Sequence, residues 1–158
     1  MPHSKVVAVD ISSVAIDLAT ENAKLNSIQN IEFKNSGLFQ NVEATFDLII
    51  SNPPYIRSSV MLELEEEVKG FDPNNALDGG EDGLDFYRAI CSQASSYLNE
   101  SAYLIFEIGY DQSEDLKLLE NDKLEYLETV KDLCKNDRFV VFQRTKKYQT
   151  KNRLPYSR

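Results

Sequence analysis

An α/β fold with a mostly parallel sheet and a C-terminal antiparallel hairpin is predicted by three features of this 158-residue sequence. Strand-like apolar runs alternate with segments of helical spacing, the pattern of a parallel sheet covered by helices. The run Phe46-Asp47-Leu48-Ile49-Ile50 is nearly continuous in apolar character and is followed directly by Ser51 and Asn52-Pro53-Pro54-Tyr55. A strand that ends this way places polar chemistry at the carboxyl edge of a sheet, where open α/β sheets bind ligands. Two β-rich segments then close the fold across the short connection from Asp132 to Asp137.

Taken in order, Lys5 to Val9 reads as a first short strand ending at Asp10. Ser12 or Ser13 caps the next helix, where Val14, Ala15, Leu18, Ala19 and Leu25 form an apolar stripe. Ile31 to Lys34 is a second strand and Phe46 to Ser51 a third, whose composition suits burial on both faces. Met61 to Lys69 is acidic and helical in pattern, while Asp72 to Asp82, with Pro73, Gly79 and Gly80, is loop. Gly83 to Leu98 is expected to be a helix carrying Leu84, Tyr87, Ile90, Cys91, Ala94 and Leu98 on one side. A strand from Ala102 to Ile108, a helix around Gln112 to Leu119, and strands near Leu124 to Val130 and Arg138 to Gln143 complete the series.

Composition narrows the function classes. With 42% apolar and 27% charged residues the chain resembles a globular domain, and it contains no apolar run of membrane-spanning length and no leader pattern. The expected address is therefore the cytosol. Cys91 and Cys134 lie apart, and His3 is the single histidine, so the sequence assembles neither a zinc site nor a Cys-His dyad. A net charge of -9 argues against general affinity for nucleic-acid phosphates. Residues 146–158, with Lys146, Lys147, Lys151, Arg153 and Arg158, are expected to form a basic tail behind a catalytic domain of residues 1–145.

The chemistry begins at the two prolines, which remove two backbone donors, fix φ and push Asn52 into an extended conformation. Asn52, the carbonyl of Pro53 and the ring of Tyr55 then form a rigid set of acceptors beside a stacking surface. An amide or aminopurine NH2 is a poor nucleophile because its lone pair is delocalised. Two acceptors that hold both N–H groups turn that lone pair outward, while an aromatic ring covers the flat face. The competing reading is an ordinary strand-to-loop turn, since Asn-Pro commonly starts one. Asp10 also has two readings: an acceptor for ribose hydroxyls at a strand end, with Ile11 against an adenine, or a helix-start carboxylate favoured by the dipole.

The segments Val7 to Ser12, Ser51 to Ile56, Ala76 to Arg88, and Glu107-Ile108-Gly109 with Gln112 together resemble the HemK/PrmC family. That resemblance runs from about residue 4 to residue 144, and its segment from Ala76 to Arg88 is much more family-specific than Asn52-Pro53-Pro54-Tyr55. It implies a Rossmann-like class I S-adenosylmethionine-dependent methyltransferase fold, acting on the glutamine of the Gly-Gly-Gln loop in peptide chain release factors. By position, it implies that Asp10 holds the cofactor ribose and Ile11 the adenine, and that Gly37-Leu38 turns beside the adenine. It also implies that Asn52, Pro53, Pro54 and Tyr55 hold the substrate glutamine, with Asn52 facing the cofactor as well. The reaction implied is in-line methyl transfer driven by positioning in a water-poor pocket, without a strong base. Glu107 is read either as an electrostatic contributor or as a structural carboxylate.

Three departures from the family pattern qualify this expectation. Gly37 stands where members usually have an acidic residue, and Lys135 where a glycine is usual near the last hairpin, so that turn is expected to differ. The family's helical recognition domain, first strand and glycine-rich loop lie ahead of the point where this sequence starts, so about half the cofactor pocket is expected here and cofactor binding should be weak. The lost strand is central, leaving two edges whose unsatisfied groups each cost on the order of 1 to 3 kcal/mol. Such edges must close up, stay apart or recruit another chain, self-association included. Three functions stay open at this point: the glutamine methyltransferase, impaired as this chain; a non-catalytic remnant that binds a partner; and an adenine amino-methyltransferase of DNA or RNA.

Overall fold

The computed structural model describes residues 4–61 and 77–146, which fall into two compact units divided between Ala44 and Thr45. In the first unit, β1 (Val6–Asp10) and β2 (Ile31–Asn35) pair in parallel, from Val6 opposite Ile31 to Asp10 opposite Asn35. They are joined by α1 (Ser13–Leu25), whose N-cap is Ser12, its side chain accepting from the N–H of Ala15 at 3.2 Å.

The second unit is a four-stranded sheet in the order β3 (Phe46–Ser51), β4 (Leu98–Glu107), β6 (Asp137–Arg144), β5 (Leu124–Lys131). Strands β3 and β4 are parallel, and β6 is antiparallel to both β4 and β5, which is the expected hairpin. Among the described residues three helices accompany it: α2 (Ser58–Met61), α3 (Asp85–Ala94) and α4 (Ser113–Lys117). Parallel β3 and β4 need a crossover, and α3 lies in it, burying Tyr87, Ile90, Cys91 and Ala94. Tyr87 packs edge-on against Phe106, with ring centroids 5.0 Å apart, and Phe106 meets Phe142 in the same manner at 6.2 Å. Each such pair adds about 0.5–1.5 kcal/mol beyond its buried area. Burial also pushes the Cys91 thiol up to about 12, as suits a packing residue, whereas Cys134 is exposed.

Several expectations are corrected. The helix expected from Gly83 to Leu98 runs only from Asp85 to Ala94, because Gly83 adopts a φ of 78° and the N–H of Tyr97 closes a turn on the Ala94 carbonyl. Leu98, assigned by its spacing to the helix, instead opens β4 opposite Phe46. The third strand has the expected limits but is not buried on both faces: Leu48 and Ile50 share one face, and Ile50 is 68% exposed. The other face carries Ile49 opposite Leu104 and Ser51 opposite Phe106, beneath Tyr87. The α1 stripe is likewise not buried, since Val14 is 74% and Leu25 82% exposed, while Ala23 on another side of the helix is buried. A two-stranded sheet offers too narrow a surface to cover the whole stripe. The expected acidic helix lies outside the described residues except for Met61, as do residues 72–76 of the expected loop and the basic tail after Lys146.

In the last hairpin Lys135 takes the left-handed φ of 68° that a glycine adopts freely. The turn is held by the Asp132 N–H to the Asn136 carbonyl at 2.9 Å and by the Asp132 carboxylate, which accepts from the N–H groups of Cys134 and Asn136. Left-handed backbone costs a residue with a Cβ about 1 kcal/mol. Lys135→Gly is therefore expected to stabilise the chain by up to about 1 kcal/mol, less what glycine adds to unfolded-state entropy. Urea unfolding checks it, and a lowered midpoint would contradict it.

Candidate active site

Two groups of candidate residues form, one in each unit. In the first unit, Asp10 and Ile11 stand at the carboxyl end of β1, and the chain leaving β2 joins them: the Ser36 N–H donates to the Asp10 carbonyl at 2.9 Å. The Asn35 side chain, which sequence reasoning missed, donates to the Ile11 carbonyl at 2.9 Å, and Asn41 in turn donates to the Asn35 carbonyl at 2.8 Å. Gly37 and Leu38 follow directly, with Leu38 at a positive φ of 52° and its carbonyl accepting from the buried Ser36 hydroxyl. Asp10, Ile11, Gly37 and Leu38 are thus brought together.

Both readings of Asp10 fit its geometry. Its Oδ1 accepts from the Ser12 N–H at 2.7 Å, the helix-start role, and Oδ2 has no hydrogen bond among the described residues. Ile11 is 76% exposed, an apolar surface beside a carboxylate oxygen with spare acceptor capacity. Such a pair suits the ribose and flat base of a nucleoside. Nothing in the backbone demands glycine at position 37, where a Cβ would meet only the end of the Gln40 side chain, 3.2 Å away.

In the second unit, β3 ends at Ser51 and the chain runs through Asn52 and Pro53 without a hydrogen bond to the Asn52 side chain or the Pro53 carbonyl among the described residues. Asn52 is exposed and Pro53 buried; with Pro54, Tyr55, Ile56 and Leu77 they line a cleft of about 130 Å³. Pro54, two residues on, has no N–H for the Asn52 side chain to accept, and the Ile56 N–H goes to the Leu77 carbonyl and not back to Pro53.

The loop is held instead from behind. Ile56 pairs with the segment around Asp78, its N–H donating to the Leu77 carbonyl at 3.0 Å and its carbonyl accepting from Gly79 at 2.8 Å. Asp78 Oδ1 accepts from the Gly80 N–H at 2.9 Å and the Ser58 hydroxyl at 2.8 Å, and these two bonds, the Gly80 one foremost, hold its carboxyl below the usual range. Gly79 has to be a glycine, since a Cβ there would stand 2.8 Å from the Pro54 carbonyl oxygen. Arg57 closes the far side by pairing with Asp111 at 2.8 Å.

Glu107 resolves toward its structural reading. Its carboxylate pairs with Arg138 at 2.8 Å, and its carbonyl accepts from the Tyr87 hydroxyl at 2.9 Å. No group of histidine, cysteine or acidic residues among the described residues could hold a metal ion, and no described helix is long and apolar enough to cross a membrane.

Comparison with known proteins fits this arrangement of strand ends. A methyltransferase from Pyrococcus furiosus superposes with a TM-score of 0.63 at 19% identity, covering 90% of this chain and 64% of its own. The architecture is that of a class I S-adenosylmethionine-dependent methyltransferase, and the Methyltransferase small domain family model matches residues 1–67. Over 144 residues the chain is 44% identical to the release factor glutamine methyltransferase of Fusobacterium nucleatum, covering 89% of this chain and 41% of that protein. Over 140 residues it is 39% identical to the enzyme of the same name from Agrobacterium fabrum, covering 87% and 48%. The chain belongs to the HemK/PrmC family, and it spans about half the length of the curated relatives it matches.

Proposed function

We infer that the protein transfers a methyl group to the side-chain amide nitrogen of a glutamine, the one in the Gly-Gly-Gln loop of a peptide chain release factor in the cytoplasm. The observation that carries this reading is the pair of acceptors at Asn52 and Pro53 that have no hydrogen bond among the described residues, set beside Tyr55 at the end of a parallel strand. Asn52 Oδ1 and the Pro53 carbonyl take the two N–H groups of the acceptor amide and point its lone pair away from them. Tyr55 lies against the flat face of the amide. No general base is required, because the proton leaves after the nitrogen has become cationic. Held acceptors and a fixed approach lower the barrier through orientation.

Bound S-adenosylmethionine supplies an electrophilic methyl group on a sulfonium. Asp10 Oδ2 suits its ribose hydroxyls, and Ile11 and the Gly37-Leu38 turn suit its adenine. The net charge of -9 favours a protein acceptor over a nucleic acid. Residues 1–145 are then catalytic domain and residues 146–158 a basic tail. The test is to incubate the protein with S-adenosylmethionine and a release-factor domain, then locate any added methyl by mass spectrometry. Methyl at the Gly-Gly-Gln glutamine is expected; transfer to adenine instead, or to nothing, would overturn the reading.

A further inference from the structure

Gln112 takes no part in the chemistry just described, yet it is 1% exposed and all of its amide is in use. Its Oε1 accepts from the Gly109 N–H at 3.0 Å, while Nε2 donates to the Tyr55 carbonyl at 3.1 Å and the Gly83 carbonyl at 3.2 Å. Three chain segments therefore converge on one side chain: the loop after β3, the turn before α3 and the loop after β4. The surroundings are cut to admit it. A Cβ at residue 83 would stand 2.8 Å from Nε2, and one at residue 109 would stand 2.9 Å from Oε1. Gln112 also occupies the N-cap position of α4 without capping it through its side chain, so its amide is committed to the loops and not to the helix.

We propose that Gln112 is a positioning residue for the acceptor site, fixing the Tyr55 carbonyl and through it the direction of the Tyr55 ring and the Pro53 carbonyl. The proposal rests on the reading of Asn52 to Tyr55 as the acceptor site. The arrangement is specific for an amide, because one acceptor and two donors are needed at once in a space closed to water. A carboxylate there turns two attractive contacts with carbonyl oxygens into repulsive ones. A thioether of similar length leaves those two carbonyls without a donor and the Gly109 N–H without a good acceptor.

The test compares Gln112→Glu and Gln112→Met with Leu116→Ala, a core change in α4 that touches none of the loops' polar groups. Circular dichroism first confirms that each variant is folded. Hydrogen exchange on the 158-residue chain is expected to show faster exchange, by about 10-fold or more, at Ile56, Ser58 and Gly109 in at least one Gln112 variant, with β4 and β6 unchanged. Unchanged protection at those amides in both variants overturns the proposal whatever the acceptor proves to be. In turnover by the protein, kcat is expected to fall about 100-fold in the Gln112 variants with cofactor affinity within about twofold of wild type. An equal loss of kcat in Leu116→Ala, or wild-type kcat in Gln112→Met, overturns it as well. Absence of glutamine methylation by the wild-type protein counts against the acceptor reading alone, and the exchange result still decides on Gln112.

Discussion

Asn52→Ala should lower the proposed methyl transfer to the release-factor glutamine by at least about 100-fold, the scale on which a lost orienting contact acts. Stability should hardly change. The Asn52 side chain is exposed and makes no hydrogen bond among the described residues, so its removal leaves no orphaned partner and is worth within about 0.5 kcal/mol of folding free energy. Initial rates with saturating cofactor, together with a thermal unfolding curve, separate the two effects. Near-normal turnover would remove Asn52 from its assigned role, and a large loss of stability would mean the residue serves the fold.

Gly83→Ala should do the reverse, acting first on the fold. Gly83 sits at a φ of 78°, and a Cβ there would stand 2.4 Å from the Tyr55 carbonyl oxygen. Left-handed backbone costs an alanine about 1 kcal/mol, and forcing the Tyr55 carbonyl away from Gln112 costs about 1–3 kcal/mol more for the buried groups left unpaired. A destabilisation of roughly 3 kcal/mol lowers the melting temperature of a chain this size by about 6–12 °C. Calorimetric melting checks it. A variant that melts with wild type would mean that the close approach of residues 55 and 83 is not maintained in solution.

Much of this framework was legible in the sequence, for reasons that differ between elements. Phe46 to Ser51 was bounded correctly because an unbroken apolar run meets two prolines, and both signals are local. A serine cap at position 12 or 13 was readable for the same reason, and the structure selects Ser12. The helix expected to reach Leu98 failed because Leu98 keeps helical spacing with Ala94 and Cys91 while belonging to the strand that pairs with Phe46. Spacing records which residues share a face, not which partner lies opposite, and the stripe of Val14, Leu18 and Leu25 is exposed among the described residues. At the candidate site, Asn52 to Tyr55 and Asp10 could be found from residue type and position on a strand end. Gln112 stood in the sequence only as part of a resemblance, because it meets Tyr55 across 57 positions and no periodicity links the two. Asn35, which bridges the ends of β1 and β2, was missed although asparagine after an apolar strand is a reasonable signal for a residue that bonds loop carbonyls.

The backing of the loop by Asp78, Gly79, Gly83 and Gln112 bears on any attempt to move this chemistry elsewhere. Transplanting Asn52 to Tyr55 into the strand end of another sheet would carry over the lettering but not the stiffness, since the peptide's own prolines leave it with nothing to lean on. A graft that keeps its shape has to bring a glycine-lined socket and the one amide that fills it, and those come from two other stretches of the donor chain.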